Sequence, residues 1–181
     1  DPATGIVTLY KRPDTSSSSA PIPSRSSDDS AYGRFSDPKR RVVTGASLLF
    51  RNARLLEAIR TAVVPYVLSH CRRLHIWCAG CSSGMEAYSV AMVVLNAFQT
   101  MGASIPFKVL GTDISEDAIA TAERGVYLQH STIAARYAPV LSRYMEKRED
   151  RYVSAGALLR SIVSFQKRDI AAGSRRHRFE F

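Results

Sequence analysis

Two features of the sequence could together hold a nucleoside ligand. The first is the segment 79–84, where Gly80 and Gly84 let the backbone approach a ligand closely and turn sharply into a helix. The second is Asp113, whose carboxylate can accept hydrogen bonds from both hydroxyls of a ribose. Each follows a short apolar run typical of a buried strand. Because open parallel sheets bind ligands at the carboxyl ends of neighbouring strands, the two features are predicted to meet at one sheet edge.

The glycine spacing narrows the class of ligand. It is not the G-x-G-x-x-G of dinucleotide-binding proteins, and the loop has no P-loop lysine. This pattern favours an adenosyl ligand without a pyrophosphate. The alternative interpretation is a turn glycine and a helix-flanking aspartate, which any α/β protein can contain.

The surrounding pattern alternates between strands and helices. Ser115 can cap the helix that follows Asp113, and Gly125 is a natural end for it. This order predicts an α/β fold with a parallel sheet and right-handed crossovers. The predicted strands are 74–79, 107–112 and 161–166, with a weaker candidate at 152–153, and the predicted helices are 86–101 and 115–124.

The segments on either side differ in their hydrophobic periodicity and composition. Apolar residues recur at helical spacing over 47–71, and Pro65 is expected to end or kink one helix and to open the next. Residues 131–148 are predicted to be amphipathic helix. Residues 11–38 are rich in Ser and Pro, so order is expected to begin near Thr44. The predicted organisation is a disordered or partner-bound tail over 1–43 and a domain over 44–181.

Composition limits the possible partners. The formal net charge is +9, which suits an acidic protein, nucleic acid or an anionic membrane, or a solvated surface with no partner. The three cysteines favour a reducing compartment. Residues 1–30 lack the apolar stretch of a signal peptide, and no apolar run is long enough to span a membrane. We expect a cytoplasmic protein, or one of an organelle matrix if the N-terminus is processed.

Four segments, in order, resemble the methyltransferases that esterify glutamates on bacterial chemotaxis receptors (CheR-type). The stretch 76–92, I-W-C-A-G-C-S-S-G-M-E-A-Y-S-V-A-M, is similar to the family's W-x-A-x-x-S-x-G-E-E-P-Y-S. The segment 47–51 is similar to T-x-F-F-R, and 163–170 to V-x-F-x-x-x-N-L. The segments 110–115 and 122–127 together are similar to the family's second block.

The resemblance implies a Rossmann-like class I sheet that binds S-adenosylmethionine (SAM) and releases S-adenosylhomocysteine. Glu86 would hold the amino group of the methionine moiety and Asp113 the ribose. Arg51 would orient the substrate carboxylate as the catalytic residue, on an acidic protein such as a chemoreceptor. The implied cofactor-binding residues are Ser47, Arg51, Gly80, Cys81, Ser82, Gly84, Glu86, Asp113, Ile114, Asp169 and Ile170. Of these, Ser47 and Arg51 would close over the methionine end, and Asp169 and Ile170 would line the adenine end.

The sequence also departs from the family's pattern, and this supports an alternative function. Gly45, Leu49, Met85, Ala87 and Asp169 replace characteristic residues, and the family continues beyond position 181 with further strands, so a partial sheet is expected. The alternative is a catalytically degraded structural subunit of a larger, even ribonucleoprotein, assembly. Such an assembly would hold the tail and the basic clusters at 39–41 and 175–178, which are otherwise solvated loops.

A metal site is the last alternative. Cys78 and Cys81 form a C-x-x-C pair with His70, Cys71 and His75 nearby. Strand alternation puts His75 and Cys78 on opposite faces, and no second C-x-x-C completes a set of four ligands. We therefore predict small apolar cysteines near the sheet edge and no metal.

Overall fold

The computed structural model describes residues 48–129 and 135–170, together with the backbone of residues 6–10. The strands are β1 (Ile6–Tyr10), β2 (Leu74–Ala79), β3 (Phe107–Asp113), β4 (Val126–Leu128), β5 (Met145–Lys147), β6 (Tyr152–Ala155) and β7 (Val163–Lys167). The helices are α1 (Ala53–Ala58), α2 (Val64–His70), α3 (Met85–Met101), α4 (Glu116–Arg124), α5 (Ala138–Tyr144) and α6 (Ala157–Ile162). A π-helical turn, Ile59–Val63, joins α1 to α2. No helix within the described ranges is long and apolar enough to cross a bilayer.

A four-stranded parallel sheet forms the centre of the fold, in the order β1-β2-β3-β7. Most residues of the two central strands are buried on both faces, which is typical of a parallel sheet covered by helices. The α/β architecture with a parallel, Rossmann-like sheet is therefore confirmed. The predicted start of order near Thr44 is wrong, because β1 pairs with β2 in register from Ile6↔His75 to Tyr10↔Ala79. The run 6–10, I-V-T-L-Y, consists of residue types that favour a strand, but the Ser- and Pro-rich stretch that follows it dominated the prediction for this end of the chain.

Helices α3 and α4 agree with their predicted bounds. Helix α3 is buried on most of its faces, which matches its long apolar stretch. Ser115 caps α4 by accepting a hydrogen bond from the Ala118 amide at 3.3 Å, and Gly125 ends it in the left-handed conformation. Helix α3 follows β2 after a short loop, and α4 follows β3. Both helices therefore begin at the carboxyl edge of the sheet.

The helical segment before the sheet begins later than predicted, at Ala53 instead of residue 47. The expected break occurs where Pro65 lies in the first turn of α2, directly after the π-helical turn. In that turn the Val64 amide donates to the carbonyl of Ile59, five residues back. The local chemistry of proline explains the break, whereas the starting residue depends on tertiary packing.

A second, antiparallel sheet has the order β4-β6-β5. The predicted helix over 131–148 is wrong at its end, because α5 stops at Tyr144 and β5 follows. Met145 is buried and the charged residues Glu146 and Lys147 are exposed, so the strand keeps its charges in solvent while pairing with β6. The predicted strand at 161–166 is shifted in the structure, because residues 161 and 162 end α6.

Candidate cofactor-binding site

The loop after β2 is anchored to the next strand by its backbone. The Gly80 and Cys81 amides both donate to the carbonyl oxygen of Thr112, at 2.8 and 2.9 Å. The Gly84 amide closes the turn on the Cys81 carbonyl at 3.0 Å. These bonds hold residues 80–84 (the cofactor loop) against the carboxyl end of β3, as predicted from the strand order.

Asp113, the last residue of β3, joins this loop to the start of α4. Its Oδ2 accepts the Ser82 amide at 2.8 Å, and its Oδ1 accepts the Ser115 amide at 3.0 Å. Asp113 is buried, with only 8% of its surface exposed. Because each carboxylate oxygen has two acceptor sites, both oxygens retain capacity for a further donor. The carboxylate therefore combines a structural role with a free accepting edge.

Glu86 lies in the first turn of α3, where a negative charge interacts favourably with the helix dipole. It is half-buried and has no hydrogen bond or ion pair with any residue that the structure describes. Burial raises the pKa of the Cys78 and Cys81 thiols, and the charge of Glu86 adds to this shift. Among the residues that the structure describes, nothing competes with a cationic ligand for this carboxylate.

The two glycines of the loop have different tasks. Gly80 has φ +72° and open space where a Cβ would lie, so the backbone is accessible there. At Gly84, with φ +82°, a Cβ would lie 2.6 Å from the Cβ of Ala122 and 2.8 Å from the ring of Phe165. Gly80 therefore leaves room for a ligand, whereas Gly84 allows close packing of the loop against α4 and β7.

Three aromatic side chains beneath the loop had no role in the sequence prediction. Phe165 and Tyr88 make an edge-on contact with centroids 5.4 Å apart, and Tyr88 contacts Tyr127 at 5.9 Å. The hydroxyl of Tyr127 donates to the Ser83 carbonyl at 2.7 Å. Tyr127 and Phe165 lie in segments that carry the family resemblance, so their position in those blocks was the available signal.

The cysteines near the loop are buried. Burial, followed by the charge of Asp113, raises the pKa of Cys81 from its ordinary value of 9.0 to about 12. Burial raises the pKa of Cys78 as well. Both thiols are therefore protonated at neutral pH and poor ligands for a metal. Within the described ranges, no group of three or more potential metal ligands occurs.

The segment before α1 is attached to the same helix that carries Glu86. The Phe50 amide donates to Ser89 Oγ at 2.9 Å, and Ser89 donates to the Met85 carbonyl at 2.6 Å. Phe50 has φ +58° and stacks on Tyr137 with centroids 4.5 Å apart. Arg51 is exposed beside this anchor. Ser47 lies outside the described residues.

The segment after β7 reaches the same sheet edge. The Arg168 amide donates to the Asp113 carbonyl at 2.8 Å, which brings Asp169 and Ile170 to the neighbourhood of the loop. Ile114 and Ile170 are 61% and 40% exposed. The basic clusters at 39–41 and 175–178 lie outside the described residues.

The residues present fit an adenosyl ligand that carries an ammonium group. Asp113 offers spare acceptor sites to vicinal hydroxyls, and Glu86 is an unpaired carboxylate among the described residues. Gly80 leaves the backbone open.

A separate cleft of about 840 Å³ lies at the antiparallel sheet. Its lining residues are Val126, Lys147, Arg148, Glu149 and Tyr152, and none of the predicted site residues is among them.

Comparison with known proteins agrees with this geometry. Residues 46–180 match the family described as CheR methyltransferase, SAM binding domain. A chemotaxis protein methyltransferase of Borreliella burgdorferi is 26% identical over 133 residues, covering 70% of this chain and 46% of the relative. One of Vibrio anguillarum is 33% identical over 87 residues, covering 48% and 32%. Chemotaxis protein methyltransferase 1 of Pseudomonas aeruginosa is 26% identical over 129 residues, covering 69% and 47%. The chain thus spans less than half the length of each of these relatives.

Proposed function

Because the chain belongs to the CheR methyltransferase family, we propose that it transfers the methyl group of SAM to glutamate carboxylates of a chemoreceptor in the cytoplasm. SAM is the cofactor that the matched domain binds. The junction of the cofactor loop with Asp113 carries the proposal, because it unites a turn open to a ligand with a buried acceptor. We assign the cofactor-binding domain to residues 44–181, and strand β1 adds to its parallel sheet by pairing with β2.

On the cofactor side, we assign the ribose hydroxyls to the free acceptor sites of Asp113. The amino group of the methionine moiety pairs with Glu86, the carboxylate in the first turn of α3. The exposed side chains of Ile114 and Ile170, with Asp169, border the adenine end. Gly80, Cys81, Ser82 and Gly84 shape the loop around the ligand, and Ser47 closes over its methionine end.

On the acceptor side, the chain needs to orient a carboxylate and needs no general base. A glutamate is already ionised at neutral pH, so no proton has to be removed before attack. When bound, SAM supplies an electrophilic methyl group, and the protein aligns the carboxylate oxygen with it and excludes water. Arg51 is assigned to this alignment, since a guanidinium binds a carboxylate through a planar fork.

Calorimetric titration with S-adenosylhomocysteine tests the cofactor site. We expect Asp113→Asn and Glu86→Gln each to weaken binding at least tenfold, since each removes a charged acceptor. Glu146→Gln is the matched control: it removes one acidic charge from the exposed strand β5 and should bind like the wild type. Equal affinity in all four proteins, or no binding by the wild type, contradicts the proposed site.

Transfer of a tritiated methyl group from SAM to a receptor cytoplasmic fragment tests the activity. The label should be released by mild base, as a glutamate ester requires, and Arg51→Lys should lower kcat more than it changes cofactor affinity. Cofactor binding without any transfer would contradict the enzymatic proposal and favour a structural subunit within a larger assembly.

A further inference from the structure

Tyr127 connects two parts of the fold that have different architecture. It lies on β4, in the antiparallel sheet, yet its hydroxyl donates to the carbonyl of Ser83 in the cofactor loop at 2.7 Å. The residue is only 2% exposed. The bond therefore attaches the loop to a strand outside the parallel sheet.

The backbone of the cofactor loop is strained at one residue beside this bond. Ser82 has φ +51°, in the left-handed region that non-glycine residues adopt at an energetic cost. The Ser82 amide donates a hydrogen bond to Oδ2 of Asp113 at 2.8 Å. The Ser83 carbonyl lies two peptide planes after the Ser82 amide, so a bond that fixes this carbonyl restricts the backbone angles of Ser82 and Ser83 and, through them, the orientation of the Ser82 amide.

The chemistry of Tyr127 suits a permanent donor. Burial raises the pKa of its phenol above the ordinary value of 10.0, so the hydroxyl keeps its proton at neutral pH. The ring makes an edge-on contact with that of Tyr88, with centroids 5.9 Å apart. The phenol therefore remains able to donate at neutral pH.

We propose that Tyr127 is a positioning residue for the cofactor: it fixes the Ser83 carbonyl and thereby keeps the Ser82 amide and the Asp113 carboxylate in their binding arrangement. This inference rests on the proposed function, since it places SAM at this loop. Tyr127 itself does not contact the ligand, and it acts through the loop backbone.

The test compares Tyr127→Phe with Tyr88→Phe. Tyr88 is an equally buried tyrosine whose hydroxyl donates to a backbone carbonyl, that of Ala122 in α4, at 3.1 Å. Both variants lose one hydroxyl and one hydrogen bond, so we expect similar thermal stability. Calorimetry should show S-adenosylhomocysteine binding about five- to tenfold weaker in Tyr127→Phe and within about twofold of wild type in Tyr88→Phe.

Amide hydrogen exchange of the ligand-free variants gives a second readout. The Ser82 to Gly84 amides should exchange several-fold faster in Tyr127→Phe and at wild-type rates in Tyr88→Phe, while the amides within β3 stay protected in both. Equal loop exchange in the two variants, or equal binding, overturns the positioning role. If the wild type fails to bind but the exchange difference appears, the assignment of the cofactor fails while Tyr127 still holds the loop.

Discussion

Asp113 combines two tasks at the residue scale. Its two oxygens each accept one backbone amide, from Ser82 and Ser115, and so join the cofactor loop to the start of α4. The same carboxylate retains acceptor sites for a ligand. Replacing Asp113 therefore changes both the shape of the site and its chemistry. Tyr127→Phe is proposed to change the shape of the loop alone, so the two variants together separate these effects.

Gly84→Ala is expected to destabilise the protein by about 2–5 kcal/mol, because it adds left-handed strain to a close contact. The new Cβ would lie 2.6 Å from the Cβ of Ala122 and 2.8 Å from the ring of Phe165. Urea unfolding followed by circular dichroism measures the loss.

Gly102→Ala is the control for this substitution. Gly102 also has a positive φ, +63°, but nothing lies within 4 Å of the position of its Cβ. Only strain remains there, so the loss should be about 1–2 kcal/mol. An equal loss in both variants would show that packing at Gly84 contributes nothing.

Ser89 joins two elements near the site. It accepts the Phe50 amide and so attaches the segment that carries Arg51 to α3. Ser89→Ala leaves a buried amide without its acceptor, and we expect a loss of about 1–3 kcal/mol in unfolding free energy and faster tryptic cleavage at Arg51 and Arg54.

Ser142→Ala is the matched control for Ser89. Ser142 is exposed, and its hydroxyl donates only to the Pro139 carbonyl of its own helix, at 3.1 Å. Its stability and cleavage rate should equal those of the wild type. Unchanged proteolysis in Ser89→Ala would contradict the proposed attachment.

Arg160 joins α4 to α6 through backbone carbonyls. Its guanidinium donates to Ala155 at 2.9 Å, Glu123 at 3.0 Å and Arg124 at 2.7 Å. The last two lie at the C-terminus of α4, where a positive charge also interacts favourably with the helix dipole. Arg160→Met should lower the unfolding free energy by about 2 kcal/mol, measured in urea.

Arg60→Met is the control for Arg160→Met. It removes an exposed ion pair with Glu57 and should leave the urea midpoint close to that of the wild type.

At the scale of the whole molecule, buried acidic groups make stability depend on pH in the alkaline range. The pKa of Cys81 is about 12 when folded and about 9 when exposed, so the unfolded chain loses this proton first. Stability is fully present below about pH 9 and is lost as the pH rises towards 12. The raised pKa values of Cys78 and Tyr127 act in the same direction.

The urea midpoint is therefore expected to fall steadily above about pH 9. Cys81→Ala should show a shallower fall over the same range, because one of the groups responsible is removed. A midpoint independent of pH up to 11, or the same slope in the variant, would contradict this explanation.

Elements with strong local signals could be predicted from the amino-acid sequence. Apolar runs, the Ser115 cap and the glycine at 125 predicted β2, β3, α3 and α4 within one or two residues, because these signals depend on neighbours along the chain. The cofactor loop and Asp113 could be placed together for the same reason, since parallel strands share one carboxyl edge.

The remaining features depend on contacts between segments that are distant in the sequence. Strand β5 has no strong local pattern and depends on its pairing with β6, whereas the residues of β1 favour a strand but only its pairing with β2 places it in the parallel sheet. The bond from Tyr127 to Ser83 joins residues 44 positions apart, so no spacing rule could reveal it. Such contacts form when the folded chain brings distant segments together, whereas a helix cap or a turn depends on nearby residues alone.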